Sequence, residues 1–128
     1  MQIERLDHVN LRTTQLQKMI NWYEATLGMT SGARPDFPFA GAWLYAGQHA
    51  LVHLIEIDTL EAVGSEAQLK LEHFAFWAVD AVDFEARLDA SKETYKKVVI
   101  EQTNTVAFNV WDPDGNHIHV DFDKDALA

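Results

Sequence analysis

The chain of 128 residues has no cysteine. That excludes a disulfide framework, thiolate metal sites and cysteine nucleophiles, and it suits a reducing compartment. Any metal would have to be held by histidine and carboxylate side chains. Positive charge is also scarce: 10 Lys and Arg stand against 20 Asp and Glu, a formal charge of −10. A phosphate backbone would be repelled, so no nucleic-acid partner is expected. No apolar run approaches the roughly 20 residues of a membrane span, so no membrane partner is expected. The opening Met1-Gln2-Ile3-Glu4-Arg5 lacks the basic and apolar regions of a signal peptide. These absences fit a cytoplasmic protein.

What is present is organised around Trp111-Asp112-Pro113-Asp114-Gly115-Asn116-His117-Ile118-His119-Val120-Asp121-Phe122. Asp-Pro-Asp-Gly supplies a turn, because Pro presets φ and Gly accepts the positive φ that closes a tight loop. Strict alternation follows. His117, His119 and Asp121 fall on one face of a strand, and Ile118, Val120 and Phe122 on the other. An apolar back and an imidazole-bearing front suggest a core on one side and a site on the other.

Length permits one domain or two small fused modules. Leu6 to Leu11 reads as a strand with His8 and Asn10 on one face. Thr13 or Thr14 is the expected N-cap of a helix in which Leu16, Met19, Ile20, Tyr23 and Leu27 recur at helical spacing. Gly28 stands where a C′ glycine would. Thr30 to Phe39 reads as loop around a weak strand. Ala42 to Tyr45 and Ala50 to Ile57 read as strands joined near Gly47. The pattern then restarts: Leu71-Glu72-His73-Phe74-Ala75-Phe76 mirrors Leu6-Asp7-His8-Val9-Asn10-Leu11. Asp80 caps a second helix with Phe84 and Leu88 on its apolar face, and three strands follow.

His8 and His73 lie 65 residues apart, and His53 and His119 lie 66 apart. Matching histidines on matching strands mark an internal repeat, which sets the architecture. The sequence therefore predicts an α+β fold: module one over about 1–58, a linker over about 59–69, and module two over about 70–128. Each is strand, helix and about three strands. One such unit buries too little alone, so the two are expected to form a single domain over 1–128.

If like modules pair, His8, His53, His73 and His119 fall at corresponding depths on a shared concave face. Four converging imidazoles leave unpaired nitrogens or repel on protonation, and a divalent cation resolves the conflict. An all-imidazole set suits Zn, Ni, Cu or Fe(II) and disfavours Mg or Ca. His49 reads as surface. His117 shares the face of His119 beside the turn, and could be a substitute ligand, a support behind the ligands or an exposed residue, with the last two favoured. Asn10 shares the face of His8. Arg12 and Trp77 each follow a module's first histidine by four and flank the cleft. Arg12 could bind an anionic or carbonyl group or pair with a surface acid. Trp43 lines the cleft or belongs to the core.

Leu6-Asp7-His8-Val9-Asn10-Leu11-Arg12, the helix through Trp22-Tyr23-Glu24-Ala25-Thr26-Leu27-Gly28, and Asp112-Pro113-Asp114-Gly115-Asn116 resemble the vicinal oxygen chelate superfamily. That superfamily includes glyoxalase I, the bleomycin resistance proteins and extradiol dioxygenases. The resemblance spans both modules. It implies paired βαβββ modules forming a mixed-sheet, U-shaped cleft around one divalent metal, often in a homodimer. It also implies that His8, His53, His73 and His119 are the metal ligands. The family usually has Glu at the last of these positions and sometimes at the second, and this chain has His at both.

The functional expectation is a metal-dependent enzyme holding one divalent transition metal (Zn, Ni or Fe). Its substrate would be a small molecule with vicinal oxygens, and the reaction lyase or isomerase chemistry. His119 and His53 are the candidates to move a proton. Arg12, Asn10, Trp43 and Trp77 are the candidates to bind substrate. Ring-opening dioxygenation with Fe(II) stands second among the enzymatic options. The alternative class is a metal-free binding protein that sequesters a cationic drug, for which the −10 charge is suited.

Overall fold

The structure is a computed structural model that describes residues 1–58 and 71–127. The expected linker at 59–69 lies outside the described residues. The chain divides into two compact units, Met1–Gln68 and Leu69–Ala128. Among the described residues each is a βαβββ module with one α-helix and a four-stranded mixed sheet, so the fold is α+β.

Module one runs β1 (Val9–Thr13), α1 (Leu16–Leu27), β2 (Thr30–Gly32), β3 (Gly41–Ala46) and β4 (His49–Glu56). Met19, Trp22, Tyr23 and Thr26 recur at intervals of three and four, so all four fall on one helical face and are buried there. Gly28 ends the helix at φ 69°, a conformation that costs a β-carbon-bearing residue about 1 kcal/mol or more. Its N–H donates to the Glu24 carbonyl, and that of Met29 to the Tyr23 carbonyl. At the other end Gln15, not Thr13 or Thr14, is the N-cap residue. Thr13 is instead the last residue of β1, and its hydroxyl accepts the Gln15 N–H at 3.0 Å, turning the chain into the helix.

The sheet order is β1-β4-β3-β2, with β1 parallel to β4 and the other pairs antiparallel. The helical crossover makes the parallel pairing possible. Leu44, Val52 and Leu54 alternate inward and are excluded from water along with Met19 and Tyr23 of α1. Burying each such side chain contributes roughly 1.5–3 kcal/mol. The ladder begins at Val9 rather than at the expected Leu6, which is exposed.

Module two repeats the plan with β5 (Phe74–Trp77), α2 (Ala81–Ala90), β6 (Lys96–Ile100), β7 (Thr105–Trp111) and β8 (His117–Asp123). Its order is β5-β8-β7-β6, and β5 is parallel to β8. Asp80 caps α2 as expected, accepting the Asp83 N–H at 3.1 Å. Phe84 of α2 meets Phe108 of β7 and Phe122 of β8 at centroid distances of 5.5 and 5.7 Å. Phe108 and Phe122 are edge-to-face at 5.6 Å, a geometry that favours aromatic pairs. The Asp112 carboxylate, almost fully buried, holds the turn ahead of β8. Its Oδ1 accepts the N–H groups of Asp114 and Asn116, and its Oδ2 accepts the Asn116 side-chain amide. That turn fixes where His117 and His119 emerge.

Candidate metal centre

The parallel register of module one pairs Asn10 with His53 and Val9 with Val52. One step earlier along both chains, His8 falls level with Leu51. The His8 ring stacks on His53 at 3.9 Å with planes 12° apart. Trp43, directly across from His53 on β3, stacks on it at 4.0 Å and 10°. Two parallel rings at that spacing must occupy opposite faces of His53, so the three form a column. His8 Nδ1 bonds Asp7 Oδ2 at 2.7 Å, which leaves Nε2 for another partner. His53 Nε2 donates to the Ala50 carbonyl at 3.1 Å, which leaves Nδ1. The hydrogen bond to His8 holds the Asp7 carboxyl below its usual range. Burial, and then the neighbouring His8, hold the His53 imidazole below the ordinary histidine value.

Module two reproduces this arrangement. Its register pairs Phe74 with Ile118 and Ala75 with His119, so His73 falls level with His117. His73 stacks on His119 at 3.8 Å and 6°. His73 Nδ1 bonds the carboxylate of Glu72, again the residue directly before it. The hydrogen bonds to His73 and then His117 lower the Glu72 carboxyl. Burial, followed by His73 and His117, lowers His119. The ligand atoms of His73, His117 and His119 lie within 4.8 Å of one another. Cation–nitrogen bonds of about 2.0–2.1 Å place two ligands of one ion up to roughly 4.2 Å apart. The spread in the second module is slightly wider than that, so sharing an ion would require the rings to turn toward it. In both modules a carboxylate on Nδ1 fixes the first histidine's tautomer and leaves Nε2 bare, an arrangement common behind metal-bound histidines. The residues fit a divalent transition metal.

The remaining candidates are placed as follows. Trp43 belongs to the ring column. Asn10 and Arg12 are exposed on β1, beside His53 and Ile55 respectively. Trp77 is 66% exposed on β5, beside Asp121. His49 is exposed at the start of β4. A cavity of about 480 Å³ in module one is lined by Asp7, His8, Trp43, Tyr45, Leu51 and His53, among others. Asp121 would be expected to be solvated near the strand end, yet its Oδ1 is buried without a hydrogen-bond partner among the described residues. Burial raises its carboxyl above the usual range.

Asp7 and Glu72 were not singled out by the histidine pattern. Their signal was nonetheless in the repeat, since each module sets an acid directly before its first histidine.

The chain is thus a duplicated βαβββ unit with a stacked imidazole pair in each copy. The profile of the Glyoxalase/Bleomycin resistance protein/Dioxygenase superfamily matches residues 5–120. The chain belongs to that superfamily. A glyoxalase family protein from Bacillus anthracis is 21% identical with a TM-score of 0.77, over 96% of this chain and 98% of that one. A lactoylglutathione lyase from Agrobacterium tumefaciens is 17% identical with a TM-score of 0.68, over 95% and 96%. A genomically encoded fosfomycin resistance protein from Listeria monocytogenes is 15% identical with a TM-score of 0.70, over 94% of each. No curated protein sequence matches significantly. Among the described residues, no helix is long and apolar enough to cross a membrane.

Proposed function

We propose that the chain is a divalent-metal-dependent enzyme acting on a small substrate with two adjacent oxygens, by lyase or isomerase chemistry. The proposed ligands are His8 and His53 from module one and His73 and His119 from module two. The observation that carries this reading is the repeated geometry: one carboxylate-bound histidine stacked on one strand histidine, at 3.9 Å in one module and 3.8 Å in the other. A purely structural role gives no reason for both copies to keep a bare ring nitrogen in the same place. The lyase named among the similar structures supports the reaction class.

Zn, Ni or Fe(II) suits the set, and the bound ion supplies Lewis acidity toward a substrate oxygen. The protein's own groups do the rest. Burial keeps His53 and His119 neutral below the pH at which an exposed imidazole charges. A neutral imidazole that lets go of the ion frees its lone pair to accept a proton and return it, which makes these two the candidates to move the substrate proton. Trp43 and the module-one cavity seat the apolar part of the substrate, while Asn10, Arg12 and Trp77 serve as the remaining contacts. A homodimer acting in the cytoplasm completes the reading, and the family pattern supports the dimer.

The test is metal analysis of protein purified without an affinity tag, with calorimetric rebinding after chelation. About one equivalent of a transition metal per chain is expected, lost in His8→Ala and His73→Ala while folding holds. Less than a tenth of an equivalent, with no tight rebinding, overturns the reading. Tight binding of a cationic drug to the metal-free protein, indifferent to chelator, would instead establish a sequestering function.

A further inference from the structure

The ligand reading has Glu72 hold His73 but gives no task to two further polar neighbours in module two, His117 and Asn109. We infer that Asn109, His117 and Glu72 form a hydrogen-bonded relay that orients His73. In this relay His117 is a positioning residue, not a fifth ligand. The inference rests on the proposed role of His73.

Glu72 is shared between two imidazoles. One carboxylate oxygen bonds His73 Nδ1, and the other bonds His117 Nδ1 at 3.0 Å. His117 Nε2 bonds Asn109 Oδ1 at 2.8 Å. Asn109 is fixed in turn, because its side-chain N–H₂ donates to the Lys96 carbonyl at 3.2 Å. Reversing that amide would set its oxygen against a carbonyl, so the oxygen faces His117. Each His117 nitrogen thus lies within hydrogen-bond distance of a protein oxygen, and neither is directed at an ion. His73 keeps Nε2 bare.

The rings confirm the division of labour. His117 is tilted 56° to His73 and 61° to His119, at 5.4 and 4.8 Å, so it leans on the stacked pair without joining it. Trp111 stacks against His117 at 5.0 Å and 11°. The His117 side chain is only 19% exposed, whereas Glu72 is 70% exposed. An exposed glutamate alone samples many rotamers. Held by His117 through its second oxygen, it stays where His73 needs it.

Module one shows why the relay exists. Trp43 pairs with His53 across the sheet, and Asn109 pairs with His119 in the same way. His8 is level with Leu51, and His73 is level with His117. Module one thus braces its pair with the Trp43 ring and has Leu51 at the second position. Module two has Asn109 in place of that ring, and the Asn109–His117–Glu72 chain does the bracing.

The test uses the tag-free full chain, with Co(II) as the probe ion and ¹⁵N–¹H correlation of the imidazole rings in metal-free protein. His117→Leu installs the residue found at the equivalent place in module one. It should weaken Co(II) binding by about 10–100-fold with the ligand-field spectrum unchanged, the usual size of an effect transmitted through a ligand's partner. Metal-free His73 should lose its Nδ1–H preference in both His117→Leu and Glu72→Gln. The double variant should be no weaker than Glu72→Gln alone. Asn109→Ala, which retains His117, should shift the same tautomer less, and it replaces His117→Leu should that variant not fold. A changed coordination spectrum would make His117 a ligand and overturn the relay. So would an unmoved His73 tautomer, or losses that multiply in the double variant. If the parent chain binds no Co(II), the function reading falls. The tautomer of metal-free His73 then decides the relay by itself: a shift sustains it and no shift overturns it.

Discussion

Asp7 Oδ2 lies 2.7 Å from His8 Nδ1, so the first histidine of the chain presents its other nitrogen outward. Removing the carboxylate removes the reason for that tautomer. Asp7→Asn should weaken Zn(II) or Ni(II) binding by about 10–100-fold while leaving the circular dichroism spectrum intact. Competition titration against a chromophoric chelator measures this directly. Unchanged affinity would show that Asp7 does not act through His8.

Acid should loosen the protein in two windows. Burial lowers the His53 and His119 imidazoles in the fold, so the unfolded chain takes up protons first as pH falls below about 6.5. The stability held by neutral imidazoles is present above that value and is lost as pH drops toward the folded-state values. Glu72 and Asp7 are lowered as well, so their contribution is present above about 4.5 and 3.8 and is lost below. Urea midpoints of metal-free protein should therefore fall between pH 7 and pH 5.5, with a shallower slope in His119→Gln. A flat profile across that range would contradict the buried, neutral state of these rings.

Asp112 tests whether the turn places the site. Its carboxylate accepts three hydrogen bonds at 2.8–3.0 Å from Asp114 and Asn116. Asp112→Ala leaves those donors in a nearly closed environment and should cost about 3 kcal/mol, read by chemical denaturation. Metal affinity should fall too, because β8 starts at His117, directly after this turn. Full affinity in a destabilised variant would mean that the strand holds His119 without the turn's help.

Much of this was legible in the sequence, where the determinants are local. The helix Leu16–Leu27, its αL Gly28 and the Asp80 cap each depend on residues within a few positions of one another. The repeat brought out His8, His53, His73 and His119 because strand alternation fixes faces without reference to rotamers. The beginning of β1 was misplaced by three residues because a ladder needs a partner, and the β4 partners recorded for β1 start only at Val9. The role of Glu72 toward His117 joins residues 45 positions apart, and that of Asn109 crosses a hairpin, so neither follows from periodicity. Asp121 was misjudged for the same reason. Its position near a strand end suggests solvent, while one of its oxygens is buried.

Asp121 offers the sharpest separation of stability from function. It pairs with Trp77 in module two as Ile55 pairs with Arg12 in module one, so the duplication carries an acid where its sister carries a hydrocarbon. The acid is unfavourable for the fold: Oδ1 is buried without a hydrogen-bond partner among the described residues, and burial raises the carboxyl above its usual value. A raised carboxyl means the fold holds the proton more tightly than the unfolded chain does. Stability is therefore lost as pH rises through the window above about 3.8 and stays lost at neutral pH. Asp121→Ile should raise stability at pH 7.5 by about 1 kcal/mol, the scale of one unsatisfied buried polar atom, and the gain should shrink toward pH 4. Urea denaturation of the two proteins at both pH values measures it. If Asp121 is kept for substrate contact or for orienting His119, the stabilised variant should turn over substrate more slowly. A variant that is neither more stable at pH 7.5 nor less active would show that this carboxylate is adequately solvated, and that the contrast with Ile55 has no functional meaning.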